Sequence, residues 1–420
     1  MDCMYIKGGR KMSGSLAIGS AKNSLLPILA GSIMCNGYVE LVNCVKYIDV
    51  EIMIEILRDM GCIIIEDSDR VIIDPRSVTK SYIKEEFSRK VRSSIVMLGA
   101  MLSRFRKARV AYPGGCNIGS RPIDLHIKGL KALNVKIEER HGYIVCDASN
   151  MKSGIVHLDF ASVGATENIM MASVLLKGTT TIYNCACEPE IEDLQNFLNS
   201  MGAKVSGAGT NTIVIEGVET LHSTIYTPYP DRIITGTYLI ACAVAKGSIR
   251  LNNVVPEHNL ALLTKLKQAG CRLKVQPNSI EIFANKQLKA LSKIETQTYP
   301  GFPTDLQNQI LVMQTISRGV SVVTENLFET RFKIVTELIK MGADITLNKQ
   351  SAVVKGVSTL YGANVVASDL RAGAGLVIAG MVADGYTTIQ DVEHIDRGYK
   401  AIEQDLCRLN VDIKRISNNL

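Results

Sequence analysis

Six stretches of the chain repeat one order of apolar and polar positions. A small residue, then an alternating or β-branched run, then a polar loop recur in "CNGYVELVNC", "RKARVAYPGG", "LKGTTTIYNC", "AKGSIRLNNV", "SRGVSVVTEN" and "ADGYTTIQDV". Their small residues, Gly37, Ala108, Gly178, Gly247, Gly319 and Gly385, are spaced roughly 70 residues apart, which marks an internal repeat. Each run predicts a strand. After it comes a segment with apolar residues at i, i+3, i+4 and i+7, such as "VEIMIEILRDMG" or "NLALLTKLKQAG", which predicts an amphipathic helix. These helices are predicted to stop at Gly61, Asn134, Gly202, Gly270, Gly342 and Asn410, residue types that tolerate a left-handed cap. A further strand-like run follows each stop.

Before each opening strand lies a second helical segment that is apolar all round, as in "NSLLPILAGSIM", "TGTYLIACAVA" and "GAGLVIAGMVA". A helix without a polar face must be buried. Each unit therefore offers one buried helix, one amphipathic helix and several strands, and the natural assembly puts helices inside and sheets outside. Six units divide most simply as three and three. The break falls at "YTPYPDR" (226–232), where Pro228 and Pro230 interrupt the periodicity. The predicted fold class is α/β, in two three-repeat domains: 22–229, and 1–21 with 230–420. A length of 420 residues, above the usual limit for one core, agrees with two domains.

Composition narrows the function classes. Hydrophobic residues make up 46% and charged residues 21%, an ordinary globular balance. A net charge of +6 is too small to suggest a nucleic-acid stripe and suits small anionic ligands. Eleven cysteines, an odd number scattered through apolar runs, point to a reduced interior; Cys185 and Cys187 lack a second pair at zinc spacing. No apolar run reaches the roughly 18 residues of a membrane span, and the N-terminus reads as no signal peptide. A soluble cytoplasmic protein with no membrane partner is expected.

The charges fall at the starts of the apolar helices: Lys22, Arg92, Glu167, Asp231 with Arg232, Asp305 and Arg371. Singly, each reads as a cap or a solvated group. Their recurrence across the repeats instead suggests a shared anion site, because helix N-termini favour anions. Loops after the opening strands add Cys116, Arg121, Glu188, Glu190, Arg331 and Arg397. Several arginines that can bind carboxylate or phosphate bidentately suit a multiply charged ligand. Cys116, in "YPGGCNIGSRPIDLH", sits in a glycine-rich loop rather than an apolar run, with Arg121 five residues on, so its thiol reads as presented rather than packed.

Seven motifs in order along the chain, "AKNSLLPIL", "PGGCNIGSRPIDLH", "SVGATENIMMA", "EPEIEDL", "FPTDLQ", "DLRAGAGL" and "HIDRGY", resemble the UDP-N-acetylglucosamine 1-carboxyvinyltransferase family. The resemblance implies two inside-out α/β barrels of three repeats each. It implies transfer of the enolpyruvyl group of phosphoenolpyruvate to UDP-N-acetylglucosamine through a tetrahedral phospholactoyl intermediate, with no metal or organic cofactor, in a monomer. By the same resemblance Cys116 delivers a proton to the methylene carbon of phosphoenolpyruvate and Asp305 takes the proton of the sugar hydroxyl. Lys22, Arg121 and Arg397 hold phosphate and carboxylate, and Arg92, Arg331 and Arg371 complete the basic lining. Asn23, Arg121, Pro122, Ile123, Asp124, Leu125, Ser162, Val163, Gly164 and Leu327 match positions that contact the UDP-sugar. The candidates split between the two halves, which predicts closure of one half on the other when the sugar binds.

Two positions depart from the family pattern. Ser20 stands where a glycine is usual, and would be strained if the backbone there needed positive φ; Ile234 stands where glutamate is common. Two alternatives share these features. 5-Enolpyruvylshikimate-3-phosphate synthase has the same fold and donor but no need of the Cys116 loop. A non-catalytic nucleotide-sugar binder would have no need of Lys22, Cys116, Asp305 and Arg397 together.

Overall fold

In the computed structural model, residues 2–114 and 123–417 are described. They fall into two compact units, one built from 20–114 and 123–229 (the inserted unit), the other from 2–19 and 230–417 (the split unit).

Twelve helices follow the two periodicities. In the inserted unit they are α1 (Lys22–Ser32), α2 (Ile48–Met60), α3 (Met97–Phe105), α4 (Asp124–Ala132), α5 (Val163–Ser173) and α6 (Pro189–Ser200). In the split unit they are α7 (Arg232–Val244), α8 (Leu260–Gln268), α9 (Gln307–Thr315), α10 (Ile334–Lys340), α11 (Leu370–Val382) and α12 (Ile402–Arg408). The segments without a polar face, α1, α3, α5, α7, α9 and α11, are buried almost end to end. Within the inserted unit α3 packs on α1 and α5; within the split unit α7, α9 and α11 pack on one another.

The amphipathic helices end as their sequences require. Gly61, Asn134, Gly202, Gly270, Gly342 and Asn410 all lie at positive φ, between 66° and 111°. This left-handed residue turns the chain into the next strand, where glycine costs least and asparagine little.

Among the described residues the strands form six sheets, five of four strands and one of three. Five are built around the opening strand of a repeat, which pairs antiparallel with the hairpin that follows the amphipathic helix. In the sixth, the opening strand Tyr386–Gln390 pairs antiparallel with the N-terminal strand Asp2–Lys7, which in turn pairs with Asp412–Ser417. A short strand from another segment adds in parallel on the other side. Thr224–Tyr226 does this for Val39–Leu41 in the inserted unit, and Ser13–Ala17 does it for Ser248–Asn252 in the split unit. In the three-stranded sheet that place is taken by a single parallel bridge, Tyr82 to Arg109. Alternate positions along these strands, such as Val71 and Ile73, are buried. No helix of the described residues is long and apolar enough to cross a membrane.

Candidate active site

Lys22 opens α1, and its Nζ lies 3.2 Å from Oδ2 of Asp49 on α2, with both side chains nearly buried. The turn before it is held by Ser20: its Oγ accepts the Val45 N–H at 3.1 Å, and its carbonyl accepts the Tyr47 hydroxyl at 2.9 Å. Ser20 is fully buried and is not among the residues at positive φ, so the expected strain does not arise. Its hydroxyl takes up a backbone donor that a glycine would leave to another partner. Asn23 follows in the first turn of α1. Pro27, one turn later, has no N–H to donate to the Asn23 carbonyl. Arg92 opens a short 3-10 turn, Arg92–Val96, that runs into α3.

Ser162 caps α5, its Oγ accepting the Ala165 N–H at 3.4 Å, and Val163 and Gly164 form the first turn. No acidic residue lies in that turn, so the helix dipole is left to favour an anion. Ile123 is buried and precedes α4, whose first residues are the exposed Asp124 and half-buried Leu125. Glu167 lies a full turn inside α5 rather than at its start, which corrects the expected placement: the helix begins at Val163, where Ser162 supplies the cap. Burial pushes the Glu167 carboxyl well above the usual range, and Glu190 and Glu188 add to it.

In the split unit the candidates meet on one carboxylate. Asp305 sits in the 3-10 turn Thr304–Leu306 ahead of α9. Its Oδ1 is bound by Nη2 of Arg331, and its Oδ2 lies 2.9 Å from Nη2 of Arg371. Arg331 is 1% exposed and begins its own 3-10 turn. Arg371 is placed by Asp369, which caps α11 by accepting the N–H groups of Arg371 and Ala372 at 2.9 and 3.1 Å. Burial alone would depress the Arg371 guanidinium, but Asp305 beside it outweighs this and holds it charged, above its ordinary value. Tyr399 lies under that guanidinium, 5.9 Å from its centre, and shares a 2.8 Å hydrogen bond with Thr237. Arg397 follows the short helix Glu393–Asp396 and is half-buried. Ile234 is 8% exposed in the first turn of α7, where an apolar side chain needs no partner.

Two residues that shape this geometry went unread in the sequence. Asp49 occupies the buried stripe of α2 in step with Met53, Ile56 and Met60, so a carboxylate standing in an apolar stripe was the available signal. Glu325, fully buried after the strand Val320–Thr324, accepts the hydroxyls of Thr296 and Thr304, each at 2.9 Å. It also accepts the N–H groups of Leu327 and Phe328 at 2.8 and 3.1 Å. Glu325 thereby ties Leu327 to the turn that carries Asp305. Its hydroxyl partners lie 29 and 21 residues away, so no local pattern announces it. Cys116, Arg121 and Pro122 lie outside the described residues.

Residues 6–406 match the family model described as EPSP synthase (3-phosphoshikimate 1-carboxyvinyltransferase). A UDP-N-acetylglucosamine 1-carboxyvinyltransferase 2 from Caldanaerobacter subterraneus subsp. tengcongensis is 51% identical over 416 residues, covering 99% of this chain and 100% of that protein. The UDP-N-acetylglucosamine 1-carboxyvinyltransferase of Myxococcus xanthus is 44% identical over 418 residues, 99% of each. Among solved structures, the enolpyruvyl transferase NikO from Streptomyces tendae superposes with a TM-score of 0.88 at 23% identity, over 99% of this chain and 98% of that one. An EPSP synthase from Acinetobacter baumannii gives 0.77 at 18%, over 99% and 100%. At these identities the two structures speak to the fold, and this chain shares it.

Proposed function

The chain belongs to the UDP-N-acetylglucosamine 1-carboxyvinyltransferase family, and from that premise we propose that it transfers the enolpyruvyl group of phosphoenolpyruvate to the 3-hydroxyl of UDP-N-acetylglucosamine, releasing phosphate. This is the first committed step of peptidoglycan synthesis, a cytoplasmic reaction that serves wall growth and division. The observation that carries the reading is similarity over the full length, near half identity, to transferases named for that acceptor. The EPSP synthase structure, by contrast, is 18% identical.

In the addition step the Cys116 thiol gives its proton to C3 of phosphoenolpyruvate, Asp305 takes the proton of the 3-hydroxyl, and a C–O bond forms at C2. Elimination breaks the C2–O bond to phosphate and returns the C3 proton, restoring the double bond. Lys22, Arg121 and Arg397 hold the donor's phosphate and carboxylate, where fixed positive charge stabilises the intermediate. Asp49 orients Lys22 for this role. The first turn of α5 and the segment Ile123–Leu125 hold the UDP-sugar.

The double clamp on Asp305 bears on its role as base. A carboxylate held by two guanidinium groups has little proton affinity. It gains basicity when an arriving anion draws Arg331 or Arg371 off it, which couples base strength to donor binding.

Phosphate release from phosphoenolpyruvate, with UDP-N-acetylglucosamine and with shikimate-3-phosphate as control acceptor, tests the reading. Release that requires the UDP-sugar supports it. Release with shikimate-3-phosphate moves the chain to the sister activity, and release with neither leaves a non-catalytic binder.

A further inference from the structure

The two helices of the inserted unit that begin at the candidate sugar contacts Ile123–Leu125 and Ser162–Gly164, α4 and α5, approach each other and α3 at glycines. A methyl group added at Gly99 on α3 would come within 2.3 Å of the Asn168 carbonyl oxygen on α5. One added at Gly129 on α4 would meet Ile169 Cδ1 at 2.3 Å, and one at Gly164 would meet His126 Cε1 at 2.9 Å and Nε2 at 3.2 Å. Asn168 stands at this junction, fully buried. Its Oδ1 accepts the Gly99 N–H at 2.6 Å, and its Nδ2 donates to the Ile95 carbonyl at 3.0 Å and lies 2.7 Å from His126 Nδ1.

These partners fix the proton on the ring. A backbone N–H can only donate and a carbonyl can only accept, so the amide orientation of Asn168 is determined. Its second N–H then points at His126 Nδ1, which must accept. A nitrogen that accepts carries no proton, so this geometry calls for the ring hydrogen on Nε2, at the edge that lies over Gly164. His126 is 7% exposed, so water is poorly placed to substitute for the amide.

We infer that Asn168 is a positioning residue for the nucleotide sugar. Through His126 it sets the spacing between Ile123–Leu125 and the first turn of α5, and through Ile95 it ties in the turn that begins at Arg92. The inference rests on the reading of Ile123–Leu125 and the first turn of α5 as UDP-sugar contacts.

Nitrogen NMR of histidine-labelled protein, with His126 assigned from His126→Gln, reads the tautomer without any assay of activity. Wild type should show Nδ1 unprotonated and Nε2 protonated. Asn168→Asp replaces the donor with an acceptor and should protonate Nδ1, while weakening UDP-N-acetylglucosamine binding about tenfold in calorimetry. The KM for phosphoenolpyruvate should stay within about twofold, because the lost hydrogen bond lies among the sugar segments. Asn168→Ser, a shorter side chain, serves if the aspartate variant does not fold, and should show the same loss of affinity. A protonated Nδ1 in wild type overturns the hydrogen bond. Unchanged affinity in a variant whose tautomer has changed overturns the positioning role. A wild type with the expected tautomer that binds no UDP-N-acetylglucosamine overturns the functional reading, and with it the ligand named here, while the tautomer result stands.

Discussion

Arg371 and Arg331 divide the carboxylate of Asp305 between them, one oxygen each, and the two guanidinium groups are 5% and 2% exposed. Two buried cations this close are tolerable because the shared anion lies between them and offsets one of the two charges. Asp305→Ala leaves both facing each other, and should lower stability by about 3 kcal/mol, the low end for a broken buried pair because Asp305 is itself a quarter exposed. Asp305→Asn keeps the shape and should cost less stability, while losing roughly 10²–10⁴ in turnover if the carboxylate is the base. Denaturant titration beside phosphate release separates the two effects. An alanine variant as stable as wild type would show that the clamp contributes nothing to the fold.

Much of this architecture is legible because its periods are strong. All-apolar helices and left-handed stops recur six times, and each stop is a residue type whose backbone suits positive φ. Local strength was lacking where the sequence misled. Glu167 looked like a helix start because the three residues before it, Gly164, Ala165 and Thr166, are small and carry no charge; the true start is set by the Ser162 hydroxyl. Glu325 reaches its Asp305 turn through hydroxyls contributed by another segment, Thr296 and Thr304, which no local pattern pairs with it.

Ser20 supports a prediction opposite to that of a strained residue. Ser20→Gly would remove the acceptor of the Val45 N–H and relieve no strain, since the backbone is not left-handed. The variant should be less stable by about 1 kcal/mol, the usual net worth of one such hydrogen bond. A glycine variant that melts higher than wild type would contradict the hydrogen-bond account.

Asp193 gives the inserted unit a pH dependence. Burial pushes its carboxyl up to about 6, against the opposing Tyr226 hydroxyl, Ser24 and the Tyr229 N–H. An unfolded aspartate titrates near 3.9, so between about pH 4 and 6 the native state keeps a proton that the unfolded chain has released. The stability this supplies is full below pH 4 and is lost as pH rises through 6, by at most about 3 kcal/mol. Asp193→Asn should flatten that fall relative to wild type in urea titrations at pH 4.5 and 6.5. Parallel curves for the two proteins would show that Asp193 is ionised throughout.

The proposed role of Cys116 sets it apart from the buried thiols. Burial pushes Cys44, Cys62, Cys146 and Cys242 up to about 12, and Cys185 and Cys271 up to about 11. Thiols so raised hold almost no thiolate near neutrality and react slowly with electrophiles. Cys407 is exposed, with its Sγ–H donating to the Ile413 carbonyl at 3.1 Å, and serves as the internal control for access. A general maleimide should therefore label Cys407 together with Cys116. The epoxide antibiotic fosfomycin is an anion and needs a basic pocket as well as a thiol. In the presence of UDP-N-acetylglucosamine it should add to Cys116 alone and abolish phosphate release. Peptide mass mapping reads the site of addition directly. Full activity after prolonged exposure, or an adduct on Cys407 instead, would remove Cys116 from the proton-transfer role and leave Asp305 and the arginines to carry the reaction without it.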